Sequence, residues 1–101
     1  MNFVNVILPL PLPGFYTYRL DDDLFENTVP GIRVAVQFGK QKVYTALVHT
    51  IHQQAPEGYE VKPVLSVMDE APVVNAHQFM LWQWIADYYL CTIGEVMAAA
   101  A

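Results

Sequence analysis

A chain of 101 residues with 54% hydrophobic and 15% charged side chains is the size of one domain and can build a real core. That balance excludes intrinsic disorder, whose signature is low hydrophobicity with high charge. The net charge of −5, five basic residues against ten carboxylates, argues against gripping duplex DNA through a broad basic patch. A small site that reads one strand end, with phosphate contacts supplied elsewhere, remains compatible. The apolar runs are interrupted well short of the roughly 18 residues a membrane span needs. No basic segment opens the chain, and Pro9, Pro11 and Pro13 break the first apolar stretch, so it does not read as a signal peptide. Cys91 is the single cysteine, which excludes a disulfide framework and a cysteine-rich zinc site and suits a reducing cytoplasm.

Phe3 to Leu8, rich in Val, Ile and Phe, reads as a first strand. Three prolines follow within Pro9–Pro13, and a residue with no donor and a fixed φ cannot sit inside a sheet. That stretch is an extended connector turning at Gly14. Phe15 to Leu20 forms a second strand, with Phe15, Thr17 and Arg19 on one face and Tyr16, Tyr18 and Leu20 on the other. Asp21, Asp22 and Asp23 read as a solvated turn, and Pro30-Gly31 as another. Ile32 to Phe38 is the third strand, and Gly39-Lys40-Gln41-Lys42 occupies a hairpin position where Gly39 can take positive φ. Val43 to His52 is the fourth strand, Gln53 to Tyr59 a loop, and Val61 to Met68 the fifth strand.

The rest is helical. Asn75 followed by Gln78 is a capping box, and Phe79, Trp82, Ile85, Ala86 and Tyr89 recur at helical spacing as a stripe to be buried. Trp84 and Tyr88, with Trp82 and Tyr89, are read as packing the helix on the strands. Thr92 with Glu95 caps a second short helix whose first turn contains Gly94. The chain then ends on Ala98–Ala101 with no stop signal, as a boundary inside a longer protein would. About five strands followed by helices predict an α+β molecule: a small OB-like open barrel over 1–72 and a helical appendage over 73–101. An SH3-like barrel has the same strand count.

Few side chains are arranged for chemistry. His49 and His52 are three apart in a strand, which predicts opposite faces and no shared metal. Cys91 and His77 have no third group to orient them as a nucleophile pair. The aspartate run lacks calcium-loop spacing. Neither G-x-x-x-x-G-K-[S/T] nor G-x-G-x-x-G nor G-x-S-x-G occurs, so this chain is expected to be no enzyme, with no catalytic and no metal residues. Tyr16, Tyr18, Phe38 and Tyr44 could stack on bases, with Lys40, Lys42 and Lys62 near phosphates, or the same aromatics could fill a barrel core.

Four stretches in order resemble the N-terminal DNA-binding domain of the PriA family of bacterial replication-restart helicases. They are Val6-Ile7-Leu8-Pro9-Leu10-Pro11-Leu12-Pro13 with Tyr16-Thr17-Tyr18, and Gly31-Ile32-Arg33-Val34-Ala35-Val36-Gln37-Phe38-Gly39-Lys40. Val61 to Asp69 is similar to the element around the family's fifth-strand lysine, and Ile85 to Val96 to its A-x-Y-Y and G-[E/D]-V stretch.

The resemblance implies a module that recognises the 3′ end of the nascent leading strand at a stalled fork. It places the terminal-nucleotide pocket at Tyr16, Thr17, Tyr18, Gly39 and Lys62, with Lys40 and Lys42 as secondary DNA contacts. The family often carries Asp where Thr17 stands; a hydroxyl can donate as well as accept, and a neutral bond is weaker than a charge-assisted one. A weaker pocket is therefore expected. The module itself would need no cofactor. The longer parent is expected to be an ATP-dependent helicase using ATP, magnesium and zinc, with forked DNA, its own motor domains, primosome proteins and single-strand-binding protein as partners, and no membrane. The rival reading is a protein-interaction barrel, with the apolar helical tail as its partner surface.

Overall fold

Burial alternates along the first strand. In β1 (Asn2–Ile7), Val4 and Val6 point into one apolar cluster while Ile7 belongs to a second. A strand covered on both faces belongs inside a sheet. The computed structural model, which describes residues 1–100, places β1 between β2 (Tyr16–Leu20) and a later ten-residue strand, antiparallel to both. After β2, Asp22–Phe25 forms α1, a single helical turn with Asp22 and Asp23 at its N-terminal end, where the helix dipole favours them. The expected simple turn is thus helical. β3 (Arg33–Gln37) and β4 (Val43–His52) form the predicted hairpin, and β5 (Ser66–Val67) adds to β3, giving the order β2-β1-β4-β3-β5.

The fifth strand is much shorter than its sequence suggests. Val61–Met68 divides its hydrogen bonds between the two edges of the sheet. The Lys62 carbonyl accepts from Arg19 N–H and Val64 N–H donates to the Arg19 carbonyl, both at 2.9 Å on β2. Leu65 and Met68 N–H then donate to Ala35 and Arg33 carbonyls on β3, also at 2.9 Å. Pro63, with no N–H to give, lies opposite Arg19 between Lys62 and Val64, and the bonds to β3 begin at Leu65. By touching both edges the segment curls the five strands into the OB-like open barrel expected. Val4, Val34, Val36 and Val48, all fully buried, fill its interior.

The helices cover the other face. α2 (Ala76–Tyr89) and α3 (Ile93–Ala100) enclose Phe79, Ala86, Ile93, Val96 and Met97 against Ile7 and Leu47. Both predicted capping boxes form: Asn75 and Gln78 exchange 2.9 Å bonds, and Glu95 N–H donates to Thr92 Oγ1 at 3.2 Å. Gly94 is required for close approach, because a Cβ there would strike the Leu8 and Leu10 carbonyls. The apolar stripe is narrower than predicted. Phe79 and Ala86 are buried and Trp82 and Ile85 half-buried, but Tyr89 faces solvent, since Leu90 turns left-handed and ends the helix. Trp84 and Tyr88 stack on each other at 5.4 Å on the exposed side and do not pack the helix on the barrel.

A bulge in β4 corrects a second expectation. Asn5 pairs with Thr50 and Val6 with Val48, which leaves His49 as the extra residue. The strand's alternation therefore resets, and His52, opposite Phe3, lies on the face that also carries Ile7 and Leu47. His49 shares that face, stacked on Phe15 at 4.4 Å and edge-on to Phe79 at 5.1 Å. The two histidines are thus on one face, not opposite ones, each engaged with its own partners. Among the described residues no three His, Cys, Asp or Glu side chains are grouped to hold a metal. Among the described residues no helix is long and apolar enough to cross a membrane.

Candidate functional site

The start of β2, the turn after β3 and the chain leading into the barrel-closing segment meet at one end of the barrel. Between them lies a cleft of about 370 Å³, lined by Phe15, Tyr16, Thr17, Tyr18, Gln37, Phe38, Gly39, Tyr59, Glu60 and Lys62. Tyr16, Thr17, Tyr18, Gly39 and Lys62, separated by up to 46 positions in the chain, are all brought to it. Lys40 and Lys42 are exposed in the adjoining hairpin and do not line it.

Each member is held differently. Tyr18 is an interior residue: its ring is buried and its hydroxyl donates to the Gln37 carbonyl at 2.8 Å. Burial first, then the neighbouring Tyr59 and Tyr16, push that phenol up to about 12. It forms the floor of the cleft and is closed to stacking. Tyr16 is half-buried, with Phe38 edge-on at 5.1 Å and Tyr44 behind Phe38 at 6.4 Å. Phe15 and Tyr59 are the more exposed aromatics of the rim. Gly39 takes φ of 71°, a left-handed value, and no side chain stands over it, so a ligand can approach its backbone. Lys62 Nζ lies 3.4 Å from the Gly39 carbonyl oxygen, bridging two walls.

Thr17 has a divided environment. The main chain of Arg19 bonds to Lys62 and Val64, so Arg19 and Phe3 form a non-hydrogen-bonded pair across β1 and β2. Two residues back, Thr17 and Asn5 form the same kind of pair. The Thr17 N–H and C=O therefore point away from β1, to the open edge beside the cleft. Non-hydrogen-bonded pairs bring side chains close, and the Thr17 hydroxyl donates to Asn5 Oδ1 at 2.8 Å.

Charge is distributed to suit an anion here. Arg19 is paired with Asp21 and Arg33 with Asp69, both at 2.7 Å. Among the described residues Lys40, Lys42 and Lys62 have no ion-pair partner, and all three border the same end of the barrel. Glu60 is the opposing charge in the cleft.

Sequence reasoning missed Phe15, Gln37, Tyr59 and Glu60. Tyr59 carried a signal, an aromatic beside Gly58 in an otherwise polar loop; the others carried none. A larger groove of about 810 Å³ runs between β3, β4 and the helices, but its one charged residue, Arg33, is held by Asp69. Its walls are otherwise mostly apolar, so little in it recognises a polar ligand. His77 and Cys91 lie at opposite ends of α2, roughly 20 Å apart at 1.5 Å per residue, too far to act together.

The family of PriA 3′DNA-binding domains (3′BD) matches residues 5–101. The replication restart protein PriA of Haemophilus influenzae is 33% identical over 101 residues, which is 99% of this chain and 13% of that protein. PriA of Bacillus subtilis is 28% identical over 90 residues, 86% of this chain and 11% of the relative. PriA of Buchnera aphidicola (subsp. Schizaphis graminum) is 23% identical over 96 residues, 95% of this chain and 13% of the relative. The chain thus spans about an eighth of the length of these relatives.

Proposed function

The chain belongs to the family of PriA 3′DNA-binding domains, and on that premise we propose that its cleft holds the terminal nucleotide of a DNA strand with a free 3′ end. The observation that carries this reading is the convergence of Tyr16, Thr17, Tyr18, Gly39 and Lys62 on one cleft. Its volume of about 370 Å³ is near the low end of ligand pockets, roughly 300–1,000 Å³, room for one nucleotide and too little for a strand to thread through. Tyr16 and Phe38 supply apolar edges, and Tyr59, with the side of Phe15 turned away from His49, the ring faces on which a base can stack. Gly39 admits the sugar–phosphate to its backbone. Lys62, with Lys40 and Lys42 behind it, faces the phosphate on the 5′ side of that nucleotide.

In the longer protein this module would bring an ATP-dependent helicase to the nascent leading strand at a stalled fork. ATP, magnesium and zinc would serve the other domains, and primosome and single-strand-binding proteins would assemble around them. The acidic balance is compatible with this division of labour, because a site that reads one strand end needs few phosphates neutralised, while Gly39, Lys40 and Lys62 favour DNA. The test is a fluorescence-anisotropy titration of labelled single strands ending in a 3′-hydroxyl or a 3′-phosphate. Tighter binding of the free end is expected; equal affinities would overturn the reading.

A further inference from the structure

We propose that Asn5, on the strand behind the cleft, is a positioning residue that makes the Thr17 oxygen an acceptor only. The inference rests on the proposed binding of a free 3′ end and names a residue that sets its selectivity. The polarity follows from one group that cannot reverse. The Gln54 backbone N–H can only donate, and its partner at 3.2 Å is His52 Nδ1. Nδ1 must then be the bare nitrogen of a neutral ring, so the ring hydrogen is on Nε2. Nε2 lies 2.8 Å from Asn5 Oδ1, and a donor there requires that atom to be the amide oxygen. The same oxygen is 2.8 Å from Thr17 Oγ1, so the threonine hydrogen is spent on Asn5. What remains on Oγ1 is two lone pairs.

The β4 bulge makes this chain possible. Without the extra residue at His49, His52 would face the barrel interior and Asn5 would lack its second donor. Phe3, buried and stacked on His52 at 6.0 Å, holds the ring in place. A ligand at Thr17 therefore meets the open main-chain edge and an oxygen that accepts. An acceptor favours a hydroxyl end, which can donate, over a phosphorylated end, which at neutral pH presents oxygens. Thr17 then offers the polarity of a carboxylate, which only accepts, without its charge. Placing Asp at 17 would break the pattern: the Asn5 amide would have to flip, setting its N–H₂ against the His52 N–H.

The experiment measures affinity for single strands ending in 3′-hydroxyl or 3′-phosphate in the parent, Asn5→Leu and Asn5→Asp, with a thermal melt of each. In Asn5→Leu the Thr17 hydroxyl can rotate and donate. The hydroxyl-to-phosphate preference should fall by about threefold to tenfold, the worth of one neutral hydrogen bond. Asn5→Asp, an acceptor to both neighbours, should restore the parent's preference, which mere damage to the fold would not. A parent that prefers free ends combined with an Asn5→Leu that keeps the full preference overturns the role of Asn5 alone. A parent with no preference overturns the end-recognition reading and this inference with it. Long-range ¹⁵N–¹H spectra of the parent give an independent check that needs no DNA: the hydrogen is expected on Nε2 of His52, and finding it on Nδ1 overturns the proposal even if no variant folds.

Discussion

The Lys62 ammonium stands 3.4 Å from the Gly39 carbonyl oxygen, closing one side of the cleft with a contact between two segments 23 positions apart. Its own carbonyl is tied to Arg19 N–H at 2.9 Å, so the lysine is rooted in the barrel closure while its charge stays in solvent. The position is fixed by the backbone and the charge remains free to meet a phosphate.

Replacing that side chain should separate binding from stability. Lys62→Ala is expected to weaken binding of a free 3′ end by about tenfold or more, as a charged hydrogen bond of about 1.5–3 kcal/mol implies. The melting temperature should hardly move, because one exposed bond contributes little. Anisotropy titration and a thermal melt on the same sample check both.

Salt dependence should be shallow. Lys62 in the cleft and Lys40 and Lys42 in the adjoining hairpin have no ion-pair partner among the described residues. If each meets one phosphate of a single strand at about 0.7 per contact, the log–log slope of affinity against salt should be near −2. A series of titrations across salt concentration measures it. A slope steeper than about −4 would mean that phosphates are bound beyond this end of the barrel.

Tyr18 should make the fold sensitive to alkali. Its phenol is pushed up to about 12 when folded, above its ordinary value near 10, chiefly by burial. As pH rises past 10 the unfolded chain loses this proton first, so stability is full below that pH and falls toward 12. Tyr18→Phe should flatten this limb relative to the parent in urea melts at pH 9 to 12. At neutral pH it should cost about 1–3 kcal/mol, since the Gln37 carbonyl loses its 2.8 Å partner.

Gly94→Ala should loosen the helical face. The added methyl would meet the Leu8 and Leu10 carbonyls, which are backbone and cannot move aside. Overpacking of this kind costs about 1–3 kcal/mol. Chemical denaturation checks it, and hydrogen exchange should show α3 opening before the barrel strands.

The local elements were legible because their signals are local. Val43–His52 was readable from its β-branched and aromatic residues, and Asn75 and Gln78 from cap chemistry, and both form as expected. Tyr16, Tyr18 and Lys62 were candidates by residue type, but Thr17 and Gly39 entered only through the resemblance, since no spacing in the chain shows that Thr17, Gly39 and Lys62 meet. Composition could say that few phosphates would be gripped, but not which lysines escape the ion pairs that take Arg19 and Arg33.

By itself the order of residues determined the first four strands, the two longer helices, the hairpin at Gly39 and the two capping boxes, because each depends on neighbours within a few positions. Only the tertiary structure decided three things. The fifth strand became a bridge between two sheet edges, because Lys62 and Val64 bond to Arg19 while Leu65 and Met68 bond to Ala35 and Arg33, partners far away in the sequence. Tyr18 became the floor of the cleft and not a stacking platform, because its strand turns that face inward. His52 came to Asn5 through a bulge of one residue at His49, since an added residue reverses strand alternation and the bulge shows itself only when strands pair.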